Sequence, residues 1–401
     1  MNDAPWPLPA SWRWCRFDEV ARVASNLVDP ADFLDWPHIA PNHIESETGR
    51  LLPHHTIAHD AVTSPKHRFS AGQVLYSKIR PYLAKAVVAE FDGLCSADMY
   101  PVESVLDSRF LKWWMLSREF TRRAAGEQAR TVLPKINVRA LSGLPVPVPP
   151  LPEQIRIVEI LEDHLSRLDA GVFLLTDGQR RLEAWKRVIL DRLVQQTASG
   201  TTSLGSLLER LEAGRSLGGS APPAGPGEWG IIKVSAMTWG EFRPQENKKI
   251  ATENADPRYQ IRPGDVLMSR ANTTEYVGAP VYVERAPERL LLSDKSLRLV
   301  PKTGVDGRWL ASVLASRSTR AKVSELATGT KDSMRNISQQ SLLSLSVPQA
   351  TPEQQSLVVR QARELADGAG SVRMAIDQAQ FRGSALRRAL LVAAFSGRLV
   401  P

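Results

Sequence analysis

The stretch from Pro149 to Gln196 constrains the fold of this chain more than any other. It opens with Pro-Pro-Leu-Pro-Glu-Gln and then runs for about forty residues without a proline. Apolar residues recur in it at intervals of three and four, the pattern of a long helix that packs against another helix. These residues are Val158, Leu161, Leu165, Leu168, Val172, Leu175, Leu182, Ile189 and Leu193.

A matching stretch ends the chain. Thr351-Pro352-Glu353-Gln354 supplies an N-cap residue, a proline at the first helical position and an acid in the first turn. Its apolar positions are smaller on average: Ala362, Leu365, Ala369, Val372, Ile376, Ala379, Gly383, Leu386, Leu390 and Ala393. Because large residues of one helix can pack against small residues of the other, we predict an antiparallel coiled coil within one chain.

The segments before the two helices also repeat each other. The sequence FSAGQVLYSKIR at Phe69–Arg80 corresponds to IRPGDVLMSRAN at Ile261–Asn272, with Gly72 matching Gly264. A helical pattern at 110–125 likewise recurs at 309–322. The predicted fold class is α+β, with two globular mixed α/β units, each followed by a long helix, in a pseudo-two-fold internal repeat.

These repeats give the predicted domain boundaries. Residues 1–150 form the first globular unit and 151–197 the central helix, whereas 198–350 form the second unit and 351–401 the C-terminal helix. The small polar sequence TASGTTS at Thr197–Ser203 is a flexible junction between the copies.

Bulk composition narrows the class of protein. The chain has 401 residues and a net charge of +8, which favours an anionic partner such as nucleic acid without requiring one. Cys15 and Cys95 are its two cysteines, so neither a disulfide framework nor a cysteine zinc site is indicated. Neither a signal peptide nor a membrane-spanning apolar run is recognised, and the predicted location is cytoplasmic, with no membrane partner.

Motifs for catalysis, cofactors and metals give little support to an enzyme. Gly329-Thr330-Lys331 lacks the upstream glycine of a phosphate-binding loop. Most histidines fall between His38 and His67, where a polar loop is favoured over a metal site because no cysteine lies nearby. We therefore predict no catalytic residues, no cofactor-binding residues and no metal ligands, although scattered carboxylates leave a nuclease centre open.

Basic loops at equivalent places of the two copies are the best candidates for a binding site. Arginine can pair with the edge of guanine and asparagine with that of adenine, and lysine or arginine can also contact phosphates. Each loop alone is better explained as a solvated turn, and the recurrence in pairs is what favours DNA binding. The candidate DNA-binding residues are Lys78, Arg80, Tyr82, Arg130, Lys135, Arg270, Asn272, Thr273, Lys331 and Arg335.

With these residues in view, the chain resembles the specificity subunits of type I restriction-modification systems over essentially its whole length. The resemblance rests on the duplication, on the Pro-Leu-Pro-Glu-Gln and Thr-Pro-Glu-Gln helix openings, on Gly264–Arg270, and on the Ala-Ala-Phe-Ser-Gly-Arg-Leu ending at Ala393–Leu399. The first helix departs from that pattern, since it ends in Asp191-Arg192-Leu193-Val194 and lacks the Phe-x-Gly-Arg-Leu tail.

The resemblance implies a non-catalytic targeting subunit. Each globular unit would be a target recognition domain that reads one half of an asymmetric, bipartite site in double-stranded DNA. The helices would set the distance between the halves and dock two methyltransferase subunits, with restriction and translocase subunits joining through the complex. S-adenosylmethionine, ATP and magnesium would belong to those partners, with no cofactor in this chain. The alternative is a stand-alone DNA-bridging or architectural coiled-coil protein that works without methyltransferases.

Overall fold

The structure is a computed structural model that describes residues 4–126, 134–238, 240–329 and 335–400. The chain divides into two compact units. The first comprises Met1–Leu175 together with Asp377–Pro401, and the second comprises Thr176–Ile376. Each long helix therefore contributes one part to each unit.

The first unit contains a four-stranded antiparallel sheet with the order β2-β10-β7-β8 and a five-stranded sheet with the order β3-β6-β9-β4-β5. Its strands are β1 (Arg13–Arg16), β2 (Ala21–Val23), β3 (Leu27–Val28), β4 (Pro37–Ile39), β5 (His55–Thr56), β6 (Lys66–Phe69), β7 (Val74–Ser77), β8 (Ala86–Val88), β9 (Gly93–Cys95), β10 (Met99–Ser104) and β11 (Pro145–Val148). The helices up to and including the central one are α1 (Phe17–Val20), α2 (Ser108–Leu116), α3 (Arg118–Gly126), α4 (Val138–Ser142) and α5 (Leu151–Gln196).

The second unit repeats the four-stranded sheet, with the order β13-β20-β16-β18. Its strands are β12 (Gly200–Ser203), β13 (Leu208–Ala213), β14 (Gly230–Ile232), β15 (Asn247–Lys249), β16 (Val266–Ser269), β17 (Ala271–Asn272), β18 (Pro280–Tyr282), β19 (Leu290–Leu291), β20 (Ser296–Pro301), β21 (Arg335–Asn336) and β22 (Ser346–Gln349). The helices are α6 (Leu204–Leu207), α7 (Gly307–Ala315), α8 (Arg317–Leu326), α9 (Gln339–Leu343) and α10 (Pro352–Phe395).

The order of elements confirms the predicted duplicated α+β fold. In the first unit β10 pairs with β7, and in the second β20 pairs with β16. Both β7 and β16 follow a glycine turn. Gly72 and Gly264 occupy the same place in these turns, with φ of +88° and +97°. A side chain is disfavoured at such angles, so each copy needs a glycine there.

The two units differ in the sheet beside this shared core. In the first unit it has five strands and includes β4 and β5, whereas in the second it has three strands in the order β15-β14-β19. The sequence between the opening segment and the glycine turn is therefore where the copies have diverged, while the four-stranded sheet and the helices are retained.

Within the first unit the start of α5 lies beside the end of α10. Asp169 Oδ1 accepts a hydrogen bond of 2.6 Å from Arg387, and Leu165 shares a core with Leu391. From the first pair to the second the residue number decreases in α5 and increases in α10, so the two segments run antiparallel. Gly383 lies opposite Val172, since a Cβ there would be 3.8 Å from Val172 Cγ2, as expected when small residues face large ones.

Three positions of the predicted apolar row are substantially exposed. Val172, Val372 and Leu386 are 40%, 48% and 51% exposed, whereas Ile157, which lies outside the row, is buried. A straight helix has 3.6 residues per turn, so a row spaced at 3.5 drifts around its surface by about 20° per heptad. The buried face therefore changes along each helix.

A buried glutamine joins each globular part to its long helix. Gln154 Oε1 accepts a hydrogen bond of 2.9 Å from the backbone N–H of Asp107, the N-cap of α2. Gln355 does the same at 2.7 Å for Asp306, the N-cap of α7. Gln355, which lies 201 residues after Gln154, therefore takes the same place in the second unit.

The ends of the helices close different cores. Phe395 of α10 is 1% exposed in the first unit, and Val194 near the end of α5 is fully buried in the second. Although α5 lacks the aromatic tail, Asp191 Oδ1 accepts hydrogen bonds from the backbone N–H and the hydroxyl of Ser318, at 2.8 and 2.6 Å. This carboxylate anchors the helix end at the start of α8.

Candidate nucleic-acid interface

In each unit the two predicted basic loops lie next to each other. In the first unit, Arg80 N–H donates to Pro134 O at 2.8 Å and Ile136 N–H donates to Lys78 O at 3.0 Å. These bonds form a β-bridge between Ile79 and Lys135, just after β7 ends. Side chains more than fifty residues apart in sequence thus meet at one end of the four-stranded sheet.

The second unit builds the same arrangement. Ala271 pairs with Asn336 and Asn272 with Arg335 in the short antiparallel ladder of β17 and β21. The backbone N–H of Ile337 donates to Arg270 O at 3.1 Å, as Ile136 does to Lys78 in the first unit. We call each of these paired-loop regions the sheet-end patch of its unit.

The candidate side chains of the first patch differ in how freely they face solvent. Arg80 is exposed, and its φ of +48° is unusual for a residue with a side chain. Tyr82 is 51% exposed. Lys78 lies over the ring of Tyr100, with Nζ 5.0 Å from the centroid, and partial burial lowers the pKa of its ammonium group. Lys135 donates to Asp98 Oδ1 at 2.8 Å.

In the second patch Arg270 is half-buried and Thr273 is exposed. The amide of Asn272 is engaged locally, since its Oδ1 accepts from Thr273 N–H at 2.9 Å and its Nδ2 donates to Ser269 Oγ at 3.3 Å. Arg335 donates to the backbone oxygen of Ala327, and its Nε is buried. That geometry favours a role for Arg335 in holding the loop.

Two of the sequence candidates, Arg130 and Lys331, lie outside the described residues. In the sequence they precede Pro134–Ile136 and Arg335–Ile337, the described residues that lie at the two patches.

Sequence reasoning missed a third loop at each patch. It is the tight turn that leads into β10 at Ser96–Met99 in the first unit and into β20 at Ser293–Ser296 in the second. Asp98 O accepts from Lys78 N–H at 3.0 Å, and Lys295 O accepts from Arg270 N–H at 2.8 Å. A serine begins both turns, but one shared serine is too weak a signal to match the two turns by sequence. The match becomes visible only from the pairing of the strands that follow them.

Several histidines between His38 and His67 contact other side chains of the same segment. His38 Nδ1 lies 2.8 Å from Asp60 Oδ2, and the rings of His55 and His59 stack with centroids 3.9 Å apart. No group of three or more potential metal ligands occurs within the described ranges. Of the helices in the described part of the chain, none is both long and apolar enough to cross a membrane.

Solved structures show which class of protein has this fold. One chain from a structure of the assembly and conformational transition of a type I restriction-modification system aligns with 98% of this chain and 100% of its own length, at a TM-score of 0.77 and 20% identity. The HsdS subunit from Thermoanaerobacter tengcongensis aligns with 99% of this chain and 100% of its own, at a TM-score of 0.53 and 20% identity. The chain therefore shares its fold with these two proteins.

Sequence relatives agree with this class, whereas no family model matches the chain. The Escherichia coli EcoDI specificity subunit is 44% identical over 224 residues, which cover 53% of this chain and 50% of that protein. The EcoKI specificity subunit from Escherichia coli strain K12 is 21% identical over 74% of this chain and 67% of its own length. The chain thus matches about half the length of EcoDI, and over that span it is similar to a type I restriction specificity subunit.

Proposed function

We propose that this protein is the DNA-recognition subunit of a type I restriction-modification complex and that it reads an asymmetric target in two halves. The observation that carries the proposal is that the sheet-end patches of the two units have the same backbone arrangement but different side chains. Lys78, Asp98 and Lys135 in the first unit are replaced by Arg270, Lys295 and Asn336 in the second. A shared scaffold with different hydrogen-bonding groups would read two different short sequences.

The single experiment that tests this function is methylation sequencing of a host with and without the gene. We expect a methylated motif that depends on the gene and consists of two unlike halves separated by a fixed spacer. The absence of any such motif, in a host that carries the partner genes, would contradict the proposal.

Replacing Arg270 with alanine should relax or abolish recognition in one half-site only. A good bidentate arginine contact is worth about 1–3 kcal/mol of discrimination against the wrong base. The measurement is the methylated motif of the variant, compared with that of Lys78→Ala, which should affect the other half. Equal loss in both halves for either variant would indicate general phosphate binding instead.

The long helices support a second part of the proposal, a fixed distance between the half-sites. Helix α5 has 46 residues. At 1.5 Å per residue such a helix is about 69 Å long, which is enough to separate two sites by one to two turns of DNA.

Deleting one heptad from each helix should shorten the spacer by about three base pairs. The matched segments are 168–174 and 381–387, which the Asp169–Arg387 hydrogen bond places at the same level within the first unit. Seven residues span about 10 Å and nearly two full helical turns, so the helix faces keep their direction. Selection of bound DNA from a randomised duplex library needs no docked methyltransferase and would reveal the result. Altered half-sites with an unchanged spacer would exclude the ruler.

We further propose that methyltransferase subunits dock on α5 and α10, with restriction subunits joining through them. Apolar side chains are exposed on these helices, notably Phe173 and Phe381, which are each 70% exposed. Single exposed apolar residues are common, but several on paired helices mark an interaction surface. S-adenosylmethionine, ATP and magnesium would then be bound by the partners, and this chain would supply no catalytic group.

Changing Phe173 and Phe381 together to aspartate should abolish capture of a co-expressed methyltransferase, because a charge cannot be desolvated in an apolar contact. Co-purification measures the capture. The control is Val105→Asp, at a residue that is 80% exposed and is not part of α5 or α10. A wild-type chain that purifies alone would instead favour the stand-alone architectural protein.

A further inference from the structure

The third loop of each patch differs between the units in a way that changes its chemistry. Ser96–Met99 and Ser293–Ser296 are the same turn, closed by hydrogen bonds of 2.9 and 3.0 Å from the last residue to the first. Strands β10 and β20 follow these turns directly, and each is the second strand in the order of its four-stranded sheet. The third turn residue is an acid, Asp98, in the first unit and a base, Lys295, in the second.

This position lies between the two basic loops. The backbone oxygen of Asp98 holds Lys78 of the first loop, and its carboxylate holds Lys135 of the second, at 2.8 Å. The side chain remains 38% exposed. In the second unit Lys295 holds Arg270 through its backbone, and its side chain is exposed. The neighbouring acid, Asp294, takes the place of Ala97.

We propose that Asp98 and Lys295 determine specificity, an inference that rests on the proposed function. Asp98 would accept a hydrogen bond from an amino-bearing base edge, N4 of cytosine or N6 of adenine. Lys295 would donate to a base edge that carries acceptors, O6 and N7 of guanine. These assignments follow the hydrogen-bonding groups that the bases present in the major groove.

Charge explains why a base edge is a better partner for Asp98 than the DNA backbone. A carboxylate repels phosphates, so an exposed acid in a DNA-binding patch is favourable only where it meets a donor. Lys135 bonds one carboxylate oxygen, and an ionised carboxylate can accept further bonds on the other. The pair with Lys135 therefore leaves an acceptor of Asp98 available to a base.

The test is selection of DNA from a randomised duplex library by the full chain, purified with any subunit that it captures. Asp98→Asn keeps the shape of the side chain but adds a donor, so it should lower the preference for cytosine or adenine at one position roughly tenfold. The preference in the other half-site should not change. Lys295→Met should lower the preference for guanine in the second half-site and leave the first half-site unchanged.

Two controls separate base reading from simpler roles. Asp294→Asn makes the same charge change beside Lys295 and should leave the base preferences as in the wild type. Lys135→Met breaks the ion pair but leaves the carboxylate, and it should weaken binding while the preference at the Asp98 position remains.

The inference is overturned if Asp98→Asn weakens binding to all sequences equally, or if it leaves every preference unchanged. It is also overturned if Lys135→Met abolishes the same preference, because Asp98 would then serve only to anchor the lysine. A wild-type protein that selects no bipartite sequence would overturn the proposed function and this inference with it.

Discussion

Replacing Phe395 with alanine is expected to destabilise the first unit by about 3–5 kcal/mol, the usual cost of removing a buried phenyl ring. The ring is 1% exposed and packs edge-on against Phe110 and Trp114, with centroids 5.3 and 5.2 Å away. In addition, Trp6 Nε1 donates to Phe395 O at 3.2 Å. The last turn of α10 therefore completes a core that is otherwise built from the beginning of the chain.

Hydrogen exchange combined with denaturant unfolding would measure this loss. Protection should fall in α2 and β10 of the first unit, while the sheet of the second unit keeps its protection. Phe381→Ala is the matched control, because the same change at a ring that is 70% exposed should cost little. Similar destabilisation by both variants would show that the ring of Phe395 is not part of the core.

Replacing Arg298 with leucine is expected to destabilise the second unit by about 3–5 kcal/mol, since it leaves charges without their buried partner. Arg298 is 9% exposed and donates to Asp265 Oδ2 at 3.0 Å, to Glu212 Oε2 at 2.8 Å and to the backbone oxygen of Gln260. Arg298 of β20 thus joins Glu212 of β13 to Asp265, the residue just before β16.

The loss should depend on pH. Burial already raises the pKa of Asp265, and removal of the guanidinium raises it further. A carboxyl group whose pKa is higher in the folded than in the unfolded state gains stability as the pH falls through its folded pKa. The destabilisation by Arg298→Leu should therefore be largest at neutral pH and shrink towards pH 4, as measured by urea unfolding at several pH values.

Arg308→Leu is the control for this variant. Arg308 pairs with Glu284 at 2.8 Å, but the two side chains are 49% and 63% exposed, so the loss should stay below about 1 kcal/mol. If Arg298→Leu cost no more than Arg308→Leu, the network would contribute to specificity of packing but not to stability.

The two units also differ in what their sheet-end patches offer. The first combines Lys78 and Lys135 with an acceptor on Asp98, whereas the second combines Arg270 with Lys295. A duplicated protein with identical patches would suit a symmetric site. The difference in charge at one structurally equivalent turn is the physical basis for expecting two unlike half-sites.

The sequence alone determined the architecture of the repeat. Helical periodicity and capping residues are local signals, so α5 and α10 were predicted to within a few residues of Leu151–Gln196 and Pro352–Phe395. The glycine turns at Gly72 and Gly264 were found because a positive φ requires a particular residue. Gln354 and Gln355 show the limit, since only the hydrogen bonds decide which of two adjacent glutamines takes the place of Gln154.

Only the tertiary structure decided which distant segments meet. The bridge between Ile79 and Lys135, the place of Asp98 beside it, and the burial of Phe395 in the first unit all depend on contacts between residues far apart in the chain. Such contacts are set by strand register and core packing, which leave no periodic trace in one sequence. The sequence could therefore name the basic loops, but it could not show that an acid lies among them.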